Sequence, residues 1–357
     1  MYPRSLHHPR PRNPTMNPLK TAAMLAGLTV LPATSVAQQD VSFKAYQAQL
    51  AAAEKSFRLG EAREFTRWLN AADPDLRGWE WNHLSAIADS SRQTLSLDAT
   101  ASRITASPDQ TSIALVTGSA VQIRAWPDLE ITHTITAHDD AIYRAEFSAH
   151  ADKLITVSRD MTSRVWDLST GEEIARTSLP NPAFAACAFS PDASRAATCA
   201  WERDESNQVH GILILWDAHT GEVLQHQRVG VKPLSAVRFS ADGDRIFTAS
   251  WDGIVHILDA NASELAQIKL PDEGVYNAIN DLDLSPDGSL IAVASKDQTA
   301  RVFSAESHDL IATLRGHLAD LEAVRFSSNG AALLTTSADA TAANPDAQSG
   351  HIRPRLR

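Results

Sequence analysis

Residues 137–173 read AHDDAIYRAEFSAHADKLITVSRDMTSRVWDLSTGEE. Three short runs within them, Ile142–Phe147, Leu154–Ser158 and Ser163–Trp166, alternate apolar with polar or small residues, and each is bounded by turn formers. Side chains of a strand point alternately to two faces, so this pattern predicts half-buried antiparallel strands joined by tight turns.

One such unit proves little, whereas repetition at a fixed period decides an architecture. The turn after the first strand recurs as Ser107-Pro108-Asp109, Ser148-Ala149-His150, Ser190-Pro191-Asp192, Ser240-Ala241-Asp242, Ser285-Pro286-Asp287 and Ser327-Ser328-Asn329. These serines stand 41, 42, 50, 45 and 42 residues apart. About 40–45 residues is the length of one four-stranded propeller blade. The longest interval coincides with an insertion, Trp201–His210.

His138, Ser158, Asp160 and Trp166 fall where a WD40 repeat places its His, Ser or Thr, Asp and Trp, and from about residue 92 to 342 the chain resembles that family. The resemblance implies an all-β, WD40-type β-propeller with six recognisable repeats, the last incomplete. It also implies that His138, Ser158, Asp160 and Trp166 form a buried structural network. An aromatic closes the third strand in four copies (Trp126, Trp166, Trp216 and Phe303), Leu258 takes the place in the fourth, and the sixth has none. Asp160, Asp252, Asp297 and Asp339 occupy the tight turn before that strand, and His317, Ser337 and Asp339 repeat the network without its Trp. A hydrolase triad would use the same residue types, but the repeat accounts for all of them and no nucleophile elbow accompanies them.

The 357 residues are 43% hydrophobic and 21% charged, with a formal net charge of −11. The first 37 residues hold Arg4, Arg10, Arg12 and Lys20 and no acids, which leaves the remainder more acidic still. An acidic body without a basic stripe repels phosphate backbones, so a nucleic-acid partner is not expected. The two cysteines, Cys187 and Cys199, read onto neighbouring strands. Such strands rarely give unstrained bridge geometry, and two small buried hydrophobes are expected. Phosphate loop, zinc spacing, paired catalytic carboxylates and haem-attachment motif are all absent, so neither metal nor cofactor is expected.

Residues 1–37 read as a leader and signal peptide. Residues 1–15 are rich in Pro, Arg and His, and Met16 offers a second start. Lys20, the apolar run Ala22–Leu31 and the small-x-small site Ser35-Val36-Ala37 then predict export, to the periplasm or beyond. The run is too short for a stable membrane anchor. Residues 38–91 carry two helical stripes, Phe43, Tyr46, Leu50, Ala53 and Phe57, then Ala62, Phe65, Leu69 and Ala72, joined at Gly60. They predict a small αα-hairpin. The segment Arg77-Gly78-Trp79-Glu80-Trp81 resembles the RGWEW that precedes WD40 arrays in some bacterial proteins, kinase-linked ones included. Trp79 and Trp81 are expected to dock these helices onto the propeller rather than to form a binding site. Arg92–Leu97 reads as a lone strand, which the resemblance assigns to the last blade. Beyond residue 342 the run to Gly350 is loop-like, with Pro345 and Gly350 as breakers. Blade six is therefore expected to lack its third strand and residues 343–357 to form an irregular tail. Either the tail fills the place badly, or the chain is truncated or frameshifted relative to a longer parent, which could be seven-bladed.

A propeller presents broad, rigid rims, and a monomeric, non-enzymatic scaffold for a protein or peptide is the function expected. In the family, the residue before the tight-turn Asp points outward on one rim. Here that gives Arg159, Trp251 and Lys296, with Trp201, Glu202 and Arg203 of the insertion on the same rim, as candidate partner-binding residues. Two alternatives stay open. A propeller enzyme, hydrolase or lyase, would need acids, His or metal ligands where the inner strands begin, at Ala101-Ser102-Arg103, Ala141-Ile142-Tyr143, Ala183-Phe184-Ala185 and Leu234-Ser235-Ala236. A sensor subunit of an envelope signalling complex is suggested by the RGWEW resemblance.

Overall fold

The recurring serine turn is a small hydrogen-bonded latch. Ser107 Oγ donates to Asp109 Oδ1 (2.5 Å) and accepts the Ser112 N–H (2.9 Å). The same pair of bonds recurs at Ser190, Ser240 and Ser285. Ser327 uses Asn329 instead (2.7 Å), and Ser148, which has His150 two residues on, reaches Asp152 (2.6 Å). Each latch turns the chain from the first strand of a blade into the second while satisfying a serine hydroxyl that five of the six turns bury.

The computed structural model describes residues 33–59, 62–77, 81, 84, 97, 100–136, 138–180, 186–271 and 277–343. They form two compact units, divided between Arg92 and Gln93. The first holds helix α1 (Ala33–Leu59) and helix α2 (Ala62–Ala71). Tyr46, Leu50, Ala53, Leu69, Ala72 and Leu84 make its core, as the two stripes require, while Phe43 is exposed and stacks on Tyr46. Ser35, Val36 and Ala37 lie in the first turns of α1. Trp81 packs against this core, donating its indole N–H to Leu69 O (2.8 Å) under the Arg77 guanidinium. Gly60, Trp79, nearly all of Arg92–Leu97 and the tail beyond Ala343 lie outside the described residues. No helix among the described residues is long and apolar enough to cross a membrane.

The second unit is a six-bladed propeller, each blade an antiparallel meander with its strands in sequence order. Blade 1 holds β1 (Arg103–Ala106), β2 (Ser112–Thr117), β3 (Ala120–Ala125) and β4 (Ile131–Ile135). Blade 2 holds β5 (Ile142–Phe147), β6 (Lys153–Ser158), β7 (Thr162–Asp167) and β8 (Glu173–Ser178). Blade 3 holds β9 (Cys187–Phe189), β10 (Arg195–Arg203), β11 (Val209–Asp217) and β12 (Val223–Gly230). Blade 4 holds β13 (Leu234–Phe239), β14 (Arg245–Ser250), β15 (Ile254–Asp259) and β16 (Glu264–Lys269). Blade 5 holds β17 (Ile279–Leu284), β18 (Leu290–Ser295), β19 (Ala300–Ser304) and β20 (Leu310–Leu314). Blade 6 holds β21 (Leu321–Phe326), β22 (Leu333–Ser337) and β23 (Ala342–Ala343). The apolar core lies in layers between consecutive blades, because each sheet has two buried faces.

The structure corrects four details of the repeat. Trp126 does not occupy the closing aromatic position. Arg124 pairs with Ile113 as Trp166 pairs with Leu154, so Arg124 stands there, and Trp126 lies two residues on, 54% exposed. The Trp201–His210 insertion lengthens β10 and β11 to nine residues each, and Asp204 closes their turn by accepting the Ser206 and Gln208 N–H groups. Blade 6 has a third strand where none was expected: among the described residues it is Ala342–Ala343, paired with Thr336 and Thr335. Cys187 and Cys199 are free, as expected, but for a simpler reason than strain: Cys187 faces the core shared with blade 2 and Cys199 the core shared with blade 4. Burial pushes both thiols up, which keeps them protonated and inert.

Candidate functional site at the channel mouth

The innermost strands β1, β5, β9, β13, β17 and β21 line the central channel. Their pairings with the second strands place Arg103, Arg144, Ala236, Asp281 and Ala323 at one level, and Thr105, Glu146, Arg238, Asp283 and Arg325 two residues deeper. These side chains bond across the channel. Arg238 reaches Glu146 (3.6 Å) and Asp283 (3.3 Å); Arg144 reaches Asp281 (3.6 Å); Arg325 reaches Glu146 (3.8 Å) and is bonded to Asp281. Thr105 adds a hydrogen bond to Glu146 (3.4 Å). Burial pushes the Asp281 carboxyl up, but Arg325, Arg144 and Arg238 outweigh it and hold the group at about 2. Burial lowers the Arg325 guanidinium, and Asp281, Glu146 and Asp283 more than reverse that.

Above the upper level the channel opens into a cleft of about 130 Å³ on the side of the β14–β15 turn. Arg103, Arg144, Tyr143, Asn280, Ser235 and Trp251 line it, together with one acid, Glu322. Among the described residues no carboxylate lies within ion-pair distance of Arg103. Burial and the neighbouring Arg144 hold its pKa below the ordinary value, against the pull of Asp281 and Glu322. A guanidinium remains charged despite such a shift, so the cleft presents fixed positive charge beside an indole. An oxyanion on a flat or apolar stem suits that combination.

Inspection of strand starts included Arg103 but stopped one residue short of Arg144 and two short of Arg238, and it did not extend to the strands that carry Asp281, Asp283 and Arg325. The alternation was visible in IYRAEF, LSAVRF, INDLDL and LEAVRF, where every charge but Glu322 falls on one face of an inner strand.

The structure distributes the candidate rim residues. Trp251 borders the cleft, and Lys296 lays its ammonium 4.6 Å from the centre of the indole ring, so these two act together. Arg159 stands apart, exposed and 3.7 Å from Asp140. Trp201, Glu202 and Arg203 belong to the long β10–β11 hairpin. Glu202 is engaged by Arg228 (2.6 Å) and His226 (3.7 Å), and Arg203 lies over the Trp201 ring while donating to Asn207 O.

The buried network exists, with a different hydroxyl at its centre. His138 Nδ1 meets Asp160 Oδ2 at 2.8 Å, and its Nε2 meets Thr156 Oγ1 at 2.7 Å. Trp166 Nε1 donates to the same Thr156 oxygen at 2.8 Å. Thr156, not Ser158, therefore joins His to Trp. Its side chain lies on the same face of β6 as Ser158 but one step nearer the Trp. Ser158 instead braces the loop, donating to Asp140 O and Ala141 O and accepting the Asp160 N–H. In blade 6 the partner of His317 is likewise Thr335 (2.9 Å) rather than Ser337. Burial lowers the His138 imidazole pKa against the pull of Asp160. Burial raises the Asp160 carboxyl, and bonds from Thr162 and His138 more than reverse this, to about 2. The hydroxyl on this ring, Thr156, is fully buried and also accepts the Trp166 N–H, so the arrangement is a structural element rather than an accessible nucleophile and base. Among the described residues no group of three or more His, Cys, Asp or Glu side chains is placed to hold a metal ion.

Four stretches, residues 129–167, 219–259, 273–304 and 308–342, match the family model for the WD domain, G-beta repeat. The chain carries WD40 repeats. Its similarity to a curated protein, Eukaryotic translation initiation factor 3 subunit I of Drosophila grimshawi, is 28% identity over 184 residues. That alignment covers 49% of this chain and 54% of the relative, so the chain spans about half the length of the curated relative it matches. WD40 propellers are usually non-enzymatic scaffolds and generally bind proteins.

Proposed function

We propose that the chain is a non-enzymatic scaffold that binds a protein or peptide through the rim bearing Trp251, seating an acidic group of the partner on Arg103 and Arg144. The observation that carries this is the cleft itself, where a guanidinium without a carboxylate partner among the described residues stands beside an indole edge. Arg and Trp are the side chains most enriched at interface hot spots. The channel acids Glu146, Asp281 and Asp283 are held by arginines, which opposes a catalytic acid or base there. The relative's name, a subunit of a translation initiation factor, supports membership of an assembly. Once a partner is captured by pull-down, Trp251→Ala and Arg103→Gln should each weaken it by more than about 1 kcal/mol at unchanged melting temperature. Neutral results there, with weakening by Asp128→Ala or Glu172→Ala, would place the partner on the opposite rim.

We propose export as well, on the strength of Lys20, the apolar run and Ser35-Val36-Ala37. Protein from the native host should then begin at Gln38 on terminal sequencing. An intact Met1 or Met16 terminus on cytoplasmic material overturns this reading.

A further inference from the structure

The apolar core fills the junctions between blades 1 and 2, 2 and 3, 3 and 4, 4 and 5, and 5 and 6. Among the described residues no such layer joins blade 6 to blade 1. The register of the repeat shows what is missing. On the first strand, Ala145, Cys187, Val237, Leu282 and Val324 hold equivalent positions, each buried against the preceding blade. Ile104 holds that position in blade 1 and is 67% exposed. On the second strand, Ala114, Ile155, Ala197, Phe247 and Ala292 are buried against the following blade. Their counterpart in blade 6, Leu334, is 42% exposed.

Between these two walls lies an open groove of about 890 Å³. Ile104, Ala106 and Leu115 line it from blade 1, and Ala323 and Leu334 from blade 6. Where it meets the channel it is cationic. Arg103, Arg144, Arg238 and Arg325 stand there against Glu146, Asp283 and the buried Asp281. Those three carboxylates are already held by Arg144, Arg238 and Arg325, which leaves Arg103 as the excess charge. Glu322, the acid of the cleft, does not line the groove.

The walls restrict what fits. Both are faces of sheets, which offer side chains and no backbone hydrogen bonds. A single peptide strand laid between them would bury its own N–H and C=O groups unpaired. A whole blade pairs its own strands, but its length of about 40 residues makes it far bulkier than the groove. A hydrocarbon stem has no polar groups to satisfy, and sites for small ligands run to about 300–1,000 Å³. We propose that the groove between blades 6 and 1 binds a single-chain carboxylate amphiphile, its stem between Ile104 and Leu334 and its head on the Arg103 guanidinium. A guanidinium offers a carboxylate two parallel N–H bonds. Arg103 also lines the cleft, so this ligand competes for it with the acidic group of a rim-bound partner.

The test titrates decanoate, below its micelle concentration and at neutral pH, into the full chain, and reads calorimetry and melting temperature. Saturable binding of one ligand per chain and a rising melting temperature are expected. Octanoate, two methylenes shorter, should bind about tenfold more weakly. Decanol keeps the stem without the charge and should also bind about tenfold more weakly. Arg103→Gln should bring decanoate down to the level of decanol. Leu334→Glu and Ile104→Asp change exposed positions that the fold does not depend on, and each should abolish binding of both ligands. Neither variant should alter capture of a partner through Trp251, so failure at the groove and failure at the rim are read separately. Absence of saturable binding to the wild type, as a groove filled by another segment of this chain would give, overturns the proposal. So does equal binding of decanoate by the wild type and Leu334→Glu.

Discussion

Replacing Asp281 with alanine is expected to destabilise the propeller by about 3–5 kcal/mol, because it leaves buried guanidinium charge without its counter-ion. Asp281 is fully buried between Arg144 and Arg325, and it also accepts the Val324 N–H of the next blade (3.3 Å). Chemical denaturation, with the midpoint shift read at unchanged slope, measures the loss directly. The same carboxylate sets an acid limit. Its folded pKa, about 2, lies below the ordinary value of 3.8, so the folded state binds fewer protons than the unfolded state between those values. The stability it contributes is fully present above about pH 4 and is lost as the pH falls through about 2. In the Asp281→Ala protein this part of the acid transition should flatten.

Thr156→Val should cost about 2–6 kcal/mol, since it leaves both His138 Nε2 and Trp166 Nε1 buried and unpaired at about 1–3 kcal/mol each. Thr156→Ser, which keeps the hydroxyl, should recover most of the loss. Ser158→Ala removes the loop brace and leaves the His–Thr–Trp link intact, so its thermal melting shift should be smaller than that of Thr156→Val. A Ser158→Ala protein less stable than Thr156→Val would return Ser158 to the centre of the network.

The blades were legible because strand alternation and the serine latch are local: a hydroxyl, an acid two residues on and a backbone N–H need nothing from elsewhere in the chain. Register was less legible. Trp126 attracted the Trp-Asp pattern through Trp126-Pro127-Asp128, and only pairing with β2 shows that Arg124 holds the position. Thr156 and Ser158 lie on one face of one strand, so sequence alone could not choose between them, and the distance to Trp166 does. The insertion was visible only as extra length between two strands, and pairing of Trp201–Arg203 with Val209–Gly211 shows that it extends their hairpin. The channel lattice joins residues more than ninety positions apart, from Glu146 to Arg238, and no local pattern reports such a pairing.

Arrays of repeats are commonly treated as one-dimensional systems, in which each unit feels only its two neighbours and the ends melt first. The charges across the channel remove this molecule from that class. Glu146 on blade 2 is bonded to arginines of blades 4 and 6, and Arg144 on the same blade to Asp281 of blade 5. Disturbing one blade therefore uncovers buried charge on blades it never touches through its apolar faces. Deleting the last blade would take Arg325 from both Asp281 and Glu146, leaving each with a single arginine. Loosening blade 2 would take Glu146 from Arg238 and Arg325 and Arg144 from Asp281. Such coupling suppresses partly folded states with one blade open, and the array should melt in a single calorimetric step rather than unravel from its ends.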